Sequence, residues 1–168
     1  MKFSGIAIPG YALDKNGKPK EEEGEVVTEP DPIYFQSRPS ATEGGAYNAA
    51  ASTFSNRGPN DKVTKEEDEA NIKEYLELNK PYDPGLSTAK IPVDAVNTSA
   101  SNLDPEISPA NARIQAHRVA AQRGLSLGAV DGLIGKYTDA RGLGFSGEPG
   151  VNVLELNLAL DRLKGAKA

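Results

Sequence analysis

Ser108-Pro109-Ala110-Asn111-Ala112-Arg113-Ile114-Gln115-Ala116-His117-Arg118-Val119-Ala120-Ala121-Gln122-Arg123-Gly124 is the stretch that decides how this chain folds. Serine is a preferred N-cap, because its hydroxyl accepts from an amide that the first helical turn leaves orphaned. Proline fits the next position, where its fixed φ is already helical and its missing N–H is not needed. Ala112, Ala116, Val119 and Ala120 then share one face as far as Arg123, and Gly124 suits the left-handed residue that closes a helix. Ser126 opens a second helix, in which Val130, Leu133, Ile134 and Tyr137 keep the i, i+3, i+4, i+7 spacing of an apolar stripe.

Other elements follow outward from this pair. Asn152 with Glu155 reads as another cap, and residues 153–163 are apolar on more than one face, which predicts the most buried helix of the chain. Upstream, Thr64-Lys65-Glu66-Glu67 reads as a capping box with Thr64 as the cap. Ile72, Tyr75 and Leu76 give that helix one apolar face through about Asn79, and Pro81 prevents its continuation. Ile91, Val93 and Val96 suggest a strand, which Pro92 would confine to a sheet edge. Nearer the N-terminus, residues 4–13 suggest a short strand and Asn16-Gly17 a hairpin turn. Lys20 to Glu25 then reads as a solvated loop, and Val26-Val27 as a return strand. Residues 36–63 lose apolar periodicity and are punctuated by Pro39, Gly44, Gly45, Gly58 and Pro59, so they are expected to be irregular. So long an irregular segment inside a small domain tends to be functional when ordered. The fold class expected is α+β: a single loop-rich domain with a small sheet and about four helices. Residues 1–30 stand apart as a divergent segment carrying the hairpin, and 31–168 form the main domain.

Composition narrows the function. The 168 residues suffice for one domain with a real core. With no cysteine, disulfides, thiolate metal sites and cysteine nucleophiles are excluded. A net charge of −5 argues against nucleic acid, which requires clustered positive surface. No window approaches 18 consecutive apolar residues, so no transmembrane span is expected.

Motifs with a chemical reading are few. Gly142-Leu143-Gly144-Phe145-Ser146-Gly147 spells a dinucleotide-binding glycine pattern, but Glu148-Pro149-Gly150 separates it from the next helix and the chain ends too soon for a βαβ unit. It is read as a structural loop. His117, the one histidine, lies mid-helix without a nucleophile or metal constellation and is expected to cap or pack. Ser99 and Ser101 lie near Asp94 and Asp104, yet no nucleophile elbow surrounds them. Asp104-Pro105-Glu106 places two carboxylates before a helix start, where negative charge is favoured, so a capped loop or a cation or partner contact are both open. Arg38 offers a planar fork of donors that serves either inside the domain or across an interface. No catalytic residue, metal ligand or cofactor is assigned.

Four blocks in fixed order carry a resemblance: Tyr34-Phe35-Gln36-Ser37-Arg38-Pro39-Ser40-Ala41-Thr42, Tyr47-Asn48-Ala49-Ala50-Ala51-Ser52, Leu103-Asp104-Pro105-Glu106-Ile107-Ser108-Pro109-Ala110, and Gly147-Glu148-Pro149 leading into Val151-Asn152-Val153-Leu154-Glu155-Leu156-Asn157-Leu158-Ala159-Leu160-Asp161. Together they resemble the KdpC family, the small accessory subunits of the bacterial Kdp system, a potassium-transporting P-type ATPase. The resemblance runs from about Pro32 to Asp161. It implies an accessory, non-catalytic role in a high-affinity potassium import complex, with the soluble domain on the extracytoplasmic face of the cell membrane. It also implies pump and channel-like subunits as partners, and an influence on the pump's nucleotide affinity has been proposed for the family. The family carries one N-terminal transmembrane helix, so either an anchor has been removed from this sequence, which is the expectation, or the chain is a naturally unanchored relative. The blocks make Arg38, Ser40, Asn48, Asp104 and Glu148 the interface candidates, while Thr64, Ser108 and Asn152 are expected as caps. Glu106 takes no family role, because the family commonly has histidine or another polar residue there. A freestanding extracytoplasmic binding module, capturing a small ligand or peptide on the 36–60 loop, is the alternative.

Overall fold

The computed structural model describes residues 30–40, 52, 58, 60–139 and 147–165, together with the backbone pairing of 21–22 with 25–26. At its centre is a pair of helices packed on each other. α2 spans Pro109–Arg123: Ser108 Oγ accepts from Asn111 N, Pro109 starts the first turn, and Gly124 closes the helix at φ 64°. α3 spans Leu127–Lys136 and is capped by Ser126, whose side chain accepts from Ala129 N. Ala112, Ala116 and Val119 are wholly buried, as are Val130 and all but 2% of Ile134. Alanines on the facing stripe leave no bulk between the two backbones, so α2 and α3 approach closely.

α4, Val153–Gly165, closes this core with Val153, Leu156 and Leu160. The main sheet is small: β3 (Glu106–Ile107), β4 (Thr138–Asp139) and β5 (Gly150–Asn152) lie in the order β3-β5-β4. Both pairings are antiparallel, with Ile107 and Thr138 each opposite Val151. Because β4 and β5 run antiparallel, the glycine-rich stretch between them does not belong to a βαβ unit, although residues 140–146 themselves lie outside the described part. Truncating a wholly buried leucine such as Leu156 to Ala would cost about 2–5 kcal/mol.

A second, smaller cluster lies under α1, Lys62–Asn79, where Tyr75, Leu86 and Ala95 pack with Leu76, Ile91, Val96 and Ile114. Three expectations change here. The cap of α1 is Asp61 rather than Thr64: its carboxylate accepts from Val63 N and Thr64 N, so Thr64 sits inside the first turn. Aspartate is as good a cap as threonine or better, and it lies three positions earlier, which starts the helix sooner. The strand expected around Ile91–Val96 is instead a pair of 3-10 turns, Thr88–Lys90 and Val93–Ala95. Pro92 sets the start of the second turn, and Val93, apolar but 69% exposed, does not contribute to a sheet face. Finally, the acidic run forms a hairpin of its own, in which β1 (Glu21–Glu22) pairs antiparallel with β2 (Glu25–Val26). The strand at 4–13, the Asn16-Gly17 turn and Val27 lie outside the described residues.

Candidate functional site

Residues 31–38 form a strap that runs through the molecule outside any helix or sheet. Backbone groups in such a place must find partners, because an unpaired buried N–H or C=O costs about as much as a lost hydrogen bond. The strap finds them on helix side chains. Phe35 N donates to Asn157 Oδ1 at 2.9 Å, and Asn157 Nδ2 donates back to Phe35 O at 3.0 Å. Gln115 repeats the arrangement at the next residue: Gln36 N donates to its Oε1 at 2.7 Å, and its Nε2 donates to Gln36 O at 3.0 Å. Arg118 Nη1 donates to Pro32 O and Tyr34 O, while Arg123 Nε donates to Ile33 O. The Phe35 ring meanwhile is wholly buried in the main core.

A second polar segment, residues 97–104, is fastened to the first. Ser37 Oγ donates to Asp104 O, Arg38 Nη2 to Asn97 Oδ1 and Thr98 O, and Ser40 Oγ to Asn102 O. Ser52 Oγ donates to Ser101 O at 3.1 Å. The bend that offers these carbonyls includes Asn102 at φ 60°, a left-handed conformation that asparagine tolerates better than most residues. Beside it a relay runs from half-buried Asp94 to buried Asn111. Asp94 accepts from Ser108 N, Ser108 Oγ and Asn111 Nδ2, and Asn111 Oδ1 accepts from Tyr75 Oη and Gln115 Nε2.

Two buried arginines give the site its electrostatics. Arg118 has no exposed surface, and the groups that accept its hydrogen bonds are neutral oxygens: Asn79 Oδ1, Gln115 Oε1 and the two strap carbonyls. Burial draws its pKa down to about 10, so the guanidinium stays charged at neutral pH. Arg123 is compensated differently. It pairs with Asp161 at 2.9 Å and stacks over the Tyr34 ring at 4.6 Å, and Tyr34 Oη donates to the other Asp161 oxygen. Burial raises the pKa of Tyr75, and burial followed by the bond to Asp161 raises that of Tyr34.

The sequence-derived candidates fall in several places. Arg38, Ser40 and the backbone of Asp104 are brought together in the seam between the two segments, and the Asp104 carboxylate accepts from Glu106 N. The Arg38 fork is thus used inside the domain. Glu148 stands exposed before β5, and Asn48 lies outside the described residues. Ser108 and Asn152 act as caps, the latter accepting from Glu155 N at 3.1 Å. His117 is exposed on α2, contrary to the packing role expected of it. The hydroxyls of Ser99 and Ser101 accept locally, from Asp104 N and Leu103 N. Among the described residues, no group of three His, Cys, Asp or Glu could hold a metal ion. Sequence reasoning missed Asn111, Gln115 and Asn157. A signal for two of them was present: Asn111, Gln115, Arg118 and Gln122 repeat at spacings of 4, 3 and 4, a polar stripe beside the alanine stripe of the same helix.

Fold and site together define an α+β domain whose centre is a chain segment held by helix side chains. A family model described as the c chain of K+-transporting ATPase, KdpC, matches residues 14–162, reaching back ahead of the first motif at 34–42. The potassium-transporting ATPase KdpC subunit of Methylococcus capsulatus is 49% identical over 92% of this chain and 79% of its own length. Its counterpart in Mycobacterium bovis is 47% identical over 97% of this chain and 87% of its own. That of Variovorax paradoxus is 47% identical over 82% and 68%. The chain belongs to the KdpC family and is a subunit of the Kdp potassium-transport system, a membrane-associated ATPase complex. Among the described residues, no helix is long and apolar enough to cross a membrane.

Proposed function

We propose that this domain is an accessory, non-catalytic subunit that helps to assemble a high-affinity, ATP-driven potassium import complex. It sits on the extracytoplasmic face of the cell membrane, against the pump and channel-like subunits. The observation that carries this reading is the family match across residues 14–162. Any effect on the pump subunit's nucleotide affinity is relayed through assembly, since an extracytoplasmic domain does not meet cytoplasmic ATP. The seam between the strap and residues 97–104 supports the choice of interface. Arg38 and Ser40 bind main-chain oxygens of Thr98 and Asn102, which fixes the loop that presents Asp104. Glu148 contributes from the exposed approach to β5.

The test compares Arg38→Ala, Asp104→Ala and Glu148→Ala in melting curves of the domain and in co-purification of the membrane-anchored subunit with its partners. Glu148→Ala is expected to change stability by only about ±0.5 kcal/mol. Arg38→Ala, which loses two bonds from a charged donor, should lower stability by about 1–3 kcal/mol and leave the domain folded. All three should weaken retention by the transporter. Large melting losses with normal co-purification would show that these residues serve the fold alone. ATP turnover by the purified domain, abolished by a point mutation within it, would overturn the non-catalytic assignment.

A further inference from the structure

A carboxamide carries one acceptor and a donor side by side, as a residue in a β-strand does with its C=O and N–H. Asn157 and Gln115 use this likeness, each exchanging a reciprocal pair of bonds with one strap residue. In an extended chain, successive residues turn their amide pairs to opposite edges, and Phe35 and Gln36 find theirs on α4 and α2 respectively. Arg118 and Arg123 take the carbonyls of the three preceding residues. What the helices read here is mainly main chain, with Phe35 fully enclosed as an anchor and Tyr34 held at its edge by Asp161 and Arg123. Tyr34 and Gln36 are only partly buried. Backbone bonds that supply affinity and a pocket for one side chain that supplies selectivity are the means by which proteins bind peptide segments.

We infer that the seat between α2 and α4 is a peptide-binding site for a short segment that begins in a turn and carries an aromatic anchor. Its resident ligand is the chain's own residues 30–40, and a copy of that segment supplied in trans exchanges with it. Sequence tolerance follows at Gln36, whose main chain makes its bonds to α2, but not at Tyr34, whose hydroxyl bonds Asp161 on α4 and whose ring lies under Arg123 of α2.

The experiment uses the full chain with a protease cleavage sequence inserted between Gly44 and Gly45, cut after folding. A fluorescently labelled synthetic peptide of residues 30–40 is then added in excess and followed by size-exclusion chromatography. Label co-eluting with the nicked protein is the expected result. A Phe35→Ala peptide should bind at least about a hundredfold more weakly, the scale of losing a buried aromatic ring. A peptide carrying Gln36→Ala keeps the main-chain bonds to α2 and loses only the amide's bonds to Asp31 O and Tyr34 O within the segment, so it should stay within about tenfold of the original. Nicked protein that keeps its own segment without exchange, or loses it and ignores the peptide, would overturn the proposal, as would equal binding by the Phe35→Ala peptide. If the insertion prevents folding, the uncut Phe35→Ala chain decides. Its melting temperature should rise with added wild-type peptide, and no rise would equally overturn the proposal.

Discussion

α1 and α2 are both rich in polar side chains, and the molecule uses them in opposite ways. On α1, Lys62, Lys65 and Lys73 reach Glu66, Glu69 and Glu77 one turn on, at 3.5–3.9 Å and largely exposed. Such pairs contribute a few tenths of a kcal/mol each, because water screens them and ordering two long side chains opposes them. On α2, Asn111, Gln115 and Arg118 are buried, and each satisfies groups that would otherwise be stranded. A polar residue on a helix is therefore valued by what covers it. The strap turns the stripe on α2 from a surface into an interior.

That contrast is most severely tested at Arg118. Replacing it with methionine keeps much of the volume but strips Asn79 Oδ1 and the Pro32 carbonyl of the donor they share, and leaves Gln115 Oε1 and the Tyr34 carbonyl with Gln36 as donor. A loss of about 3–5 kcal/mol is expected in urea unfolding followed by circular dichroism. A loss below about 1 kcal/mol would mean that the strap can leave its carbonyls to water. Gln115→Ala strands the Gln36 N–H and C=O and should cost about 2–4 kcal/mol. The caps give a matched pair. Ser108 both caps α2 and donates to Asp94, so Ser108→Ala should fall near the upper end of the usual 0.5–2 kcal/mol, roughly, and Asp61→Ala on α1 near the lower end. Equal losses from the two would break the comparison at its simplest point.

Alkaline pH probes the same interior. The folded-state pKa of Tyr75 lies above its ordinary value of 10.0 because burial disfavours the phenolate. Its contribution is then intact below pH 10.0 and is lost as pH climbs through the raised folded value. Tyr34 acts in the same direction, whereas Arg118, drawn down from 12.5 to about 10, acts in the opposite one. The clean readout is a difference. Above pH 10.0 the stability of Tyr75→Phe should decline less steeply than that of the parent chain. Identical slopes would mean that Tyr75 is not held from solvent. The smallest effect belongs to α1: Lys73→Ala should move stability by less than about 0.5 kcal/mol, and moderate salt should erase even that.

Most of the local signals along α2 and α3 were legible in the sequence. Ser108, Ser126 and Gly124 act within one turn of themselves, and the stripes of α2 and α3 pack as their spacing demands. Local signals misled where two of them competed: Asp61 and Thr64 both suit a cap, and β-branched residues around Pro92 suggested a strand where the chain makes 3-10 turns. The seam was only half legible. Its two segments stood out as polar and irregular, but nothing near Phe35 announces Asn157 as its partner. Amides and arginines on a helix normally face water, and only the strap's path shows that these do not.

The strap also sets a clock. Phe35 is bonded by Asn157, a partner 122 residues later in the chain. At a synthesis rate of about 5–20 residues per second, the ribosome needs roughly 6–24 s to deliver that partner after Phe35 has been made. Throughout that interval the aromatic anchor and its backbone must wait unfastened, and the helical hairpin can form before them from contacts close in sequence. α4 is thus the helix that completes the fastening of the strap, and a chain halted before it would hold the segment only by its bonds to α2.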